Sequence, residues 1–389
     1  MTGVLALYLP SLRGGGAERV MVTLANGFAD RGLRVDLVLA KAEGPYLPDV
    51  SSSVRVVDLG ASRVLGSLAG LVRYLRRERP VALLTAMGHA NVVAAAARRL
   101  SRVATRLVVS EHAHFSAVSA KATSIPGRSM VHFMRWAYPG TDGIVAVSEG
   151  VAVDLAAAIG LPRERILVIH NPVVTAVMLA NSRRPQGHPW FGPAEPPVLL
   201  GVGRLTEQKD FTLLIRAFAQ LRLQRDVRLM ILGEGELRPQ LEALVLELQV
   251  EEDVMLPGFV QNPYGYMRCA ALYVLSSGWE GLPTTLIEAM ACRTPVVATD
   301  CPSGPAEILE GGRWGRLIPV GDVDALAQAI AATLDEPVHP DIATRAADFG
   351  VDQAVKNYLR VLLPDGDFDT PGIVSAETTE VAVSCGTSG

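Results

Sequence analysis

From Val4 to Leu362 the chain alternates short runs of β-branched and leucine residues with longer amphipathic stretches. Few folds accept that rhythm, because strands joined by crossover helices build a parallel sheet with helices on its faces. The pattern predicts strands near Val4–Leu9, Val35–Leu39, Val54–Asp58, Val81–Thr85, Arg106–Ser110, Gly143–Val147 and Ile166–His170. Between them it predicts helices near Ala17–Asp30, Val64–Arg79, His89–Leu100, Gly127–Tyr138 and Glu149–Ile159. The proline-rich segment 171–197 then breaks the rhythm, as a domain boundary does.

Beyond the break the alternation restarts. Strands are expected near Val198–Val202, Val227–Leu232, Val254–Leu256, Leu272–Ser276, Pro295–Ala298 and Arg316–Ile318, with helices near Phe211–Leu223, Glu236–Leu248, Asn262–Ala270, Pro283–Ala291, Ala306–Leu309, Val323–Leu334 and Val351–Leu362. The chain has 389 residues, 49% of them hydrophobic, enough for two cores. The expectation is therefore an α/β protein of two Rossmann-like domains, residues 1–175 and 197–350, with a hinge at 176–196, a C-terminal helix at 351–363 and an aperiodic, disordered tail at 364–389. Open sheets of this kind bind ligands at the C-terminal ends of their strands, so the two crevices are expected to face each other across a cleft.

The net charge of -4 conceals a split, for residues 1–180 carry 20 basic and 12 acidic side chains while the remainder carries 16 and 28. A basic first half suits an anionic partner, either a phospholipid surface or a phosphorylated acceptor; an ordinary solvated surface is the alternative. The basic residues are not interleaved with stacking aromatics as in nucleic-acid modules, so no nucleic-acid partner is expected. No apolar run reaches the ~18 to 20 residues of a membrane span, and the opening residues lack the features of a signal peptide. The expected location is the cytoplasm, free or peripheral on the inner face of the cell membrane. Cys269, Cys292, Cys301 and Cys385 show no metal-binding spacing and are expected as reduced thiols.

Chemistry concentrates in the second half. From Ser276 to Thr299 a strand ends in a turn, Pro283 opens a helix, Glu280 stands in the turn and Glu288 within the helix. Backbone N–H groups along Gly281, Leu282, Thr284 and Thr285, around Pro283, would point at an anion above the helix N-terminus, and a diphosphate fits there. Glu280 can accept from sugar hydroxyls and Glu288 from a ribose; the plain alternative is a pair of solvated glutamates. A glycosidase acid and base would stand ~5 to 9.5 Å apart, whereas eight helical positions span about 12 Å. Upstream, Gly203, Arg204 and Lys209 lie in the loop from a strand to the next helix, where two cations can neutralise a leaving diphosphate, and Asp210 is placed to cap that helix.

With these residues in view, the chain resembles glycosyltransferase family 4, the retaining GT-B group that moves sugars from nucleotide diphosphates. The resemblance covers residues 3 to about 363, and its most specific part is Arg204/Lys209 followed by Glu280-x7-Glu288. It implies that Arg204 and Lys209 hold the donor diphosphate, that Glu280 contacts the sugar and that Glu288 binds the ribose. It implies a nucleotide pocket lined by Gly233 and Glu234 and by Phe259 and Val260, and an acceptor-binding first domain. The Gly14–Arg19 loop, with Gly15 and Gly16, is expected near phosphate or acceptor, and His112 near the transferred sugar. His114 is expected to be a structural neighbour, and His170-Asn171-Pro172 architectural. The loop Asp300–Ile308 resembles that of bacterial enzymes building surface or lipid-linked glycans, which favours a UDP-sugar donor.

The expected activity is thus transfer of a hexose or N-acetylhexosamine to a glycan or polyprenyl-diphosphate-linked acceptor. No Asp-x-Asp motif is placed to hold a metal, so metal-independent chemistry with no cofactor is expected. Two basic, apolar stretches, Ser62–Arg79 and Lys121–Arg135, can rest on an anionic membrane or simply cover the sheet. A same-fold epimerase and a catalytically silent scaffold are the competing readings.

Overall fold

The structure, a computed structural model, describes residues 3–120, 125–184 and 187–366. Among these residues it contains two compact units, one formed by 3–172 together with 350–366, the other by residues 173–349.

In the first unit seven strands form one parallel sheet: β1 (Val4–Leu9), β2 (Arg34–Leu39), β3 (Val54–Asp58), β4 (Ala82–Ala86), β5 (Arg106–Glu111), β6 (Gly143–Ala146) and β7 (Ile166–Val168). Their spatial order is β3-β2-β1-β4-β5-β6-β7. The central strands are continuous apolar runs because helices cover both faces. Leu5 of β1, for example, pairs with Val35 of β2 on one side and Ala82 of β4 on the other. Edge strand β3 instead exposes much of its length. The chain runs outward through β2 and β3 and then returns to β4, so the order reverses between β1 and β4. Right-handed crossovers consequently put helices Leu68–Glu78, Gly88–Ser101, Ile125–Ala137 and Glu149–Ile159 side by side on one face. Helix Gly16–Ala29 covers the other face, where helix Val351–Leu362 packs against it and buries Val355, Tyr358, Leu359 and Leu362 in the first unit's core.

The second unit repeats the design with β8 (Val198–Val202), β9 (Arg228–Leu232), β10 (Val254–Gly258), β11 (Leu272–Leu275), β12 (Val296–Thr299) and β13 (Arg316–Ile318), in the parallel order β10-β9-β8-β11-β12-β13. Its core joins Leu199, Leu229 and Val274 from the sheet to Leu214 and Phe218 of helix Phe211–Arg222. Here the order reverses between β8 and β11.

Two features depart from the sequence-based expectation. The chain leaves the first unit at Pro172, and the segment expected as a hinge is packed on the second unit: helix Ala176–Ser182 lies against helix Pro263–Cys269, Asn262 donates to the Asn181 carbonyl at 3.1 Å, and the Phe191 ring meets Tyr266 edge-on. Burial of Met178 and Phe191 ties the segment down despite its prolines. Cys292 and Cys301 are buried free thiols, but Cys269 is disulfide-bonded, so the expectation of four reduced cysteines fails there. The expected disordered tail lies outside the described residues beyond residue 366, and the stretch Lys121–Arg135 is described from Ile125 on. Among the described residues no helix is long and apolar enough to cross a membrane.

Candidate active site

A doubly wound sheet opens a crevice where its strand order reverses, because the loops leaving the two central strands turn to opposite faces. In the second unit those loops follow β8 and β11, and they carry Arg204, Lys209 and Glu280. The β8 loop ends at Asp210, whose left-handed backbone (φ 42°) lets its carboxylate accept from Leu213 N–H at 3.1 Å and cap helix Phe211–Arg222. That cap fixes the residue before it, Lys209.

Lys209 and Glu280 meet directly, Nζ to Oε1 at 2.5 Å, with side chains 17% and 8% exposed. Ser277 Oγ donates to the same carboxylate oxygen at 2.8 Å, and the Gln208 amide reaches the other at 3.4 Å and the Trp279 carbonyl at 3.0 Å. The two loops are also stitched through backbone, since Gly278 N–H donates to the Gln208 carbonyl and Ser276 Oγ to the Lys209 carbonyl, both at 2.8 Å. Thr299 of β12 holds the Ser277 carbonyl at 2.6 Å. Arg204, in contrast, is exposed and makes no ion pair among the described residues.

Helix Thr284–Ala291 begins just after Glu280, with Pro283 as its cap residue and no side chain capping it. Leu286 N–H turns back to the Pro283 carbonyl at 3.2 Å, and the Thr284 and Thr285 amides before it are left to a ligand or to solvent. Thr285 receives the Tyr273 hydroxyl at 2.7 Å, Leu282 is buried, and Glu288 is buried on the helix. Gly304 (φ 97°) lies so close that a Cβ there would stand 2.4 Å from Pro283 Cδ, so the Asp300–Ile308 loop closes on the helix start only through glycine.

The expected nucleotide-pocket residues follow β9 and β10. Gly233 has φ 145°, and a Cβ there would sit 1.9 Å from the Gly203 carbonyl oxygen, so the β8 and β9 loops touch backbone to backbone. Glu234 forms a fork with Arg238 at 2.8 Å, which holds its carboxyl below the usual range and directs it along the helix. Phe259 is 75% exposed and Val260 partly buried.

In the first unit, Gly15 and Gly16 open helix Gly16–Ala29, and the Gly15 N–H is occupied by the buried Glu18 carboxylate, so this loop is braced from within. His112 lies at the C-terminal edge of β5, its Nε2 3.0 Å from Ser110 Oγ, and burial pushes it down to about 4. Beside it the buried Glu111 carboxylate accepts from the Asn91 amide at 2.8 Å and from the Tyr138 hydroxyl, and burial raises its pKa to about 7. His114 faces Asp154 at 3.4 Å. Gln208, Ser277, Thr299, Asn91 and Tyr138 were not among the expected site residues, because single polar residues carry no spacing signal. Among the described residues no group of three or more His, Cys, Asp or Glu side chains could hold a metal ion.

Residues 188–348 match the family described as Glycosyl transferases group 1, and residues 14–177 match Glycosyltransferase Family 4. The chain is 30% identical over 342 residues to the N-acetylgalactosamine-N,N'-diacetylbacillosaminyl-diphospho-undecaprenol 4-alpha-N-acetylgalactosaminyltransferase of Campylobacter jejuni, covering 85% of this chain and 90% of that one. It is 29% identical over 357 residues to the lipopolysaccharide core biosynthesis glycosyltransferase LpsE of Rhizobium meliloti, 90% of this chain and 94% of the other. Among solved structures it superposes on sucrose-phosphate synthase from Thermosynechococcus elongatus with a TM-score of 0.78 at 20% identity, covering 94% of this chain and all of that one. It also superposes on Anabaena Alr3699/HepE, solved in complex with UDP-glucose, with a TM-score of 0.76 at 22% identity, covering 92% and 99%.

Proposed function

Because the chain belongs to glycosyltransferase family 4 and is a GT-B enzyme using a nucleotide-sugar donor, we propose that it transfers a hexose or N-acetylhexosamine, with retention, from a UDP-sugar to a glycan carried on a polyprenyl diphosphate. The product belongs to cell-surface polysaccharide synthesis. The observation that carries this reading is the contact of Lys209 with Glu280 beside the uncapped N-terminus of helix Thr284–Ala291. The acceptor class is supported by the Campylobacter relative's name and the uridine by the Asp300–Ile308 loop.

In this mechanism a donor diphosphate draws Lys209 away from Glu280, and the freed carboxylate oxygen accepts a hydroxyl of the sugar. As the anomeric C–O bond breaks, negative charge gathers on the β-phosphate, where Lys209, Arg204 and the N–H groups of Leu282, Thr284 and Thr285 stabilise it. The acceptor hydroxyl bonds to the anomeric carbon on the same face and its proton passes to the departing phosphate oxygen. Glu288 holds the ribose. These fixed charges meet the electrostatic demand, so turnover is expected to survive chelation of metal ions. Calorimetry with UDP, GDP and ADP tests the donor site: UDP is expected to bind best, with binding lost in Glu288→Ala. Absence of binding by all three would overturn the reading.

An anionic membrane is proposed as the surface on which the enzyme meets its acceptor. Residues 62–79, 88–102 and 129–142, which span three adjacent helices on one sheet face, contain nine arginines, Arg73, Arg77, Arg99 and Arg102 among them, but only two acids, Glu78 and Asp142. Leu65, Leu100 and Trp136 stand 74%, 54% and 51% exposed among them. Arginines around exposed apolar side chains suit the headgroup boundary of an anionic bilayer. Vesicles containing phosphatidylglycerol should sediment the protein and neutral vesicles should not, and Arg73→Glu with Arg99→Glu should abolish the difference. Failure of the native protein to bind either vesicle would end this proposal.

A further inference from the structure

The histidine at the end of β5 is held by a hydroxyl relay from the C-terminal helix. Ser110 Oγ lies 3.0 Å from His112 Nε2 and 3.0 Å from Tyr358 Oη. Ser110 and Tyr358 are fully buried. Burial pushes the Tyr358 phenol up to about 12 and His112 down to about 4, so at neutral pH the phenol keeps its proton and the imidazole carries one.

One order of protons leaves the fewest buried groups of this chain unpaired. The Tyr358 hydroxyl has Ser110 Oγ as its one acceptor among the described residues, so it donates there; otherwise a buried O–H is left without an acceptor. Ser110 then donates its own proton to His112, and Nε2 must accept it. The remaining ring proton is on Nδ1, an atom buried and without a hydrogen-bond partner among the described residues. It is a donor with its partner missing.

We propose that Tyr358 and Ser110 are positioning residues that hold His112 in the Nδ1–H tautomer, so that it meets the ligand as a hydrogen-bond donor to a hydroxyl or phosphate oxygen and not as a general base. The proposal rests on the expectation that His112 meets the substrate of the proposed reaction. It deepens that reading by fixing the sign of the contact: both ring nitrogens are committed, and neither has a lone pair for the acceptor's proton.

Nitrogen-15 spectra of the full chain labelled at histidine test the tautomer without any turnover, with His112 assigned by the signals lost in His112→Asn. The native protein should show a protonated Nδ1 and an unprotonated Nε2, and Tyr358→Phe or Ser110→Ala should bring in the Nε2–H form. A native Nε2–H signal, or spectra unchanged in both variants, would overturn the proposal even if the enzyme transfers sugar as expected. The donor role is read separately in kinetics. His112→Asn, whose amide nitrogen stands in the place of Nδ1, should keep kcat within about tenfold, while the acceptor-only His112→Asp should lose about a hundredfold or more. Aspartate matching asparagine would refute the donor role. If the native chain moved no sugar, the transferase reading would fall while the spectra still decided the tautomer.

Discussion

Lys209 and Glu280 show what single side chains reveal and conceal. Each is recognisable from its motif, but nothing in their spacing predicts that a residue after β8 and one after β11 neutralise each other. That pairing requires the strand order, which brings the two loops together. Removing the cation leaves a carboxylate almost without solvent, so Lys209→Ala is expected to lower stability by about 2 to 3 kcal/mol as well as slowing turnover by about a hundredfold or more. Adding Glu280→Gln should restore most of the thermal stability but none of the rate, a separation that scanning calorimetry and an activity assay would resolve. Glu111 was not recognised at all, because its importance lies in burial rather than motif. Its folded pKa of about 7 stands above the ordinary 4.5, so the fold holds its proton more tightly than the unfolded chain does. The contribution of Glu111 to stability should therefore be fully present below about pH 4.5 and fall as pH rises to about 7. The melting temperature of the native protein relative to Glu111→Gln should decline across that window, and a flat difference would contradict it.

Strands and long helices were legible because alternation between period two and a helical period survives in the sequence even where individual residues are ambiguous. Several short helices were not. Helices Phe115–Ala120 and Ile342–Ala346 are too brief to show periodicity, and helix Ala176–Ser182 was hidden by the prolines that follow it. Composition announced a loop there, while packing of Met178 and Phe191 decided otherwise. Glycine-rich turns were equally ambiguous until their contacts were known. At Gly233 the positive φ and the Gly203 carbonyl leave no room for a methyl group, so Gly233→Ala should displace the loop that carries Arg204. Its expected signature is at least a tenfold weaker affinity for UDP by calorimetry, with helix content by circular dichroism preserved.

Two α/β bodies were legible from the repeated rhythm, as was the excess of positive charge in the first half. The division of the chain between them was not, since periodicity marks where an element lies but not which sheet receives it. Helix Val351–Leu362 follows the second unit in sequence and contributes Val355, Tyr358, Leu359 and Leu362 to the core of the first. Its Asp352 pairs with Arg31 at 2.5 Å, and its Val361 carbonyl accepts from Arg106 at 2.7 Å. Removing residues from Gly350 on should uncover that core and leave β1–β7 open to protease. Limited digestion of the shortened chain should yield a resistant fragment near 173–349 and little else; equal survival of both units would refute the assignment.

That excursion of the chain has a consequence for how the molecule is born. On the ribosome the sheet that is synthesised first waits with one face partly bare while the intervening 173–349 emerge and close upon themselves. Maturation therefore runs from the middle outward, and the oldest strands are the last to be sealed. A message broken just before the codon for Gly350 would release a finished second unit on an unfinished partner, prey for chaperone or protease.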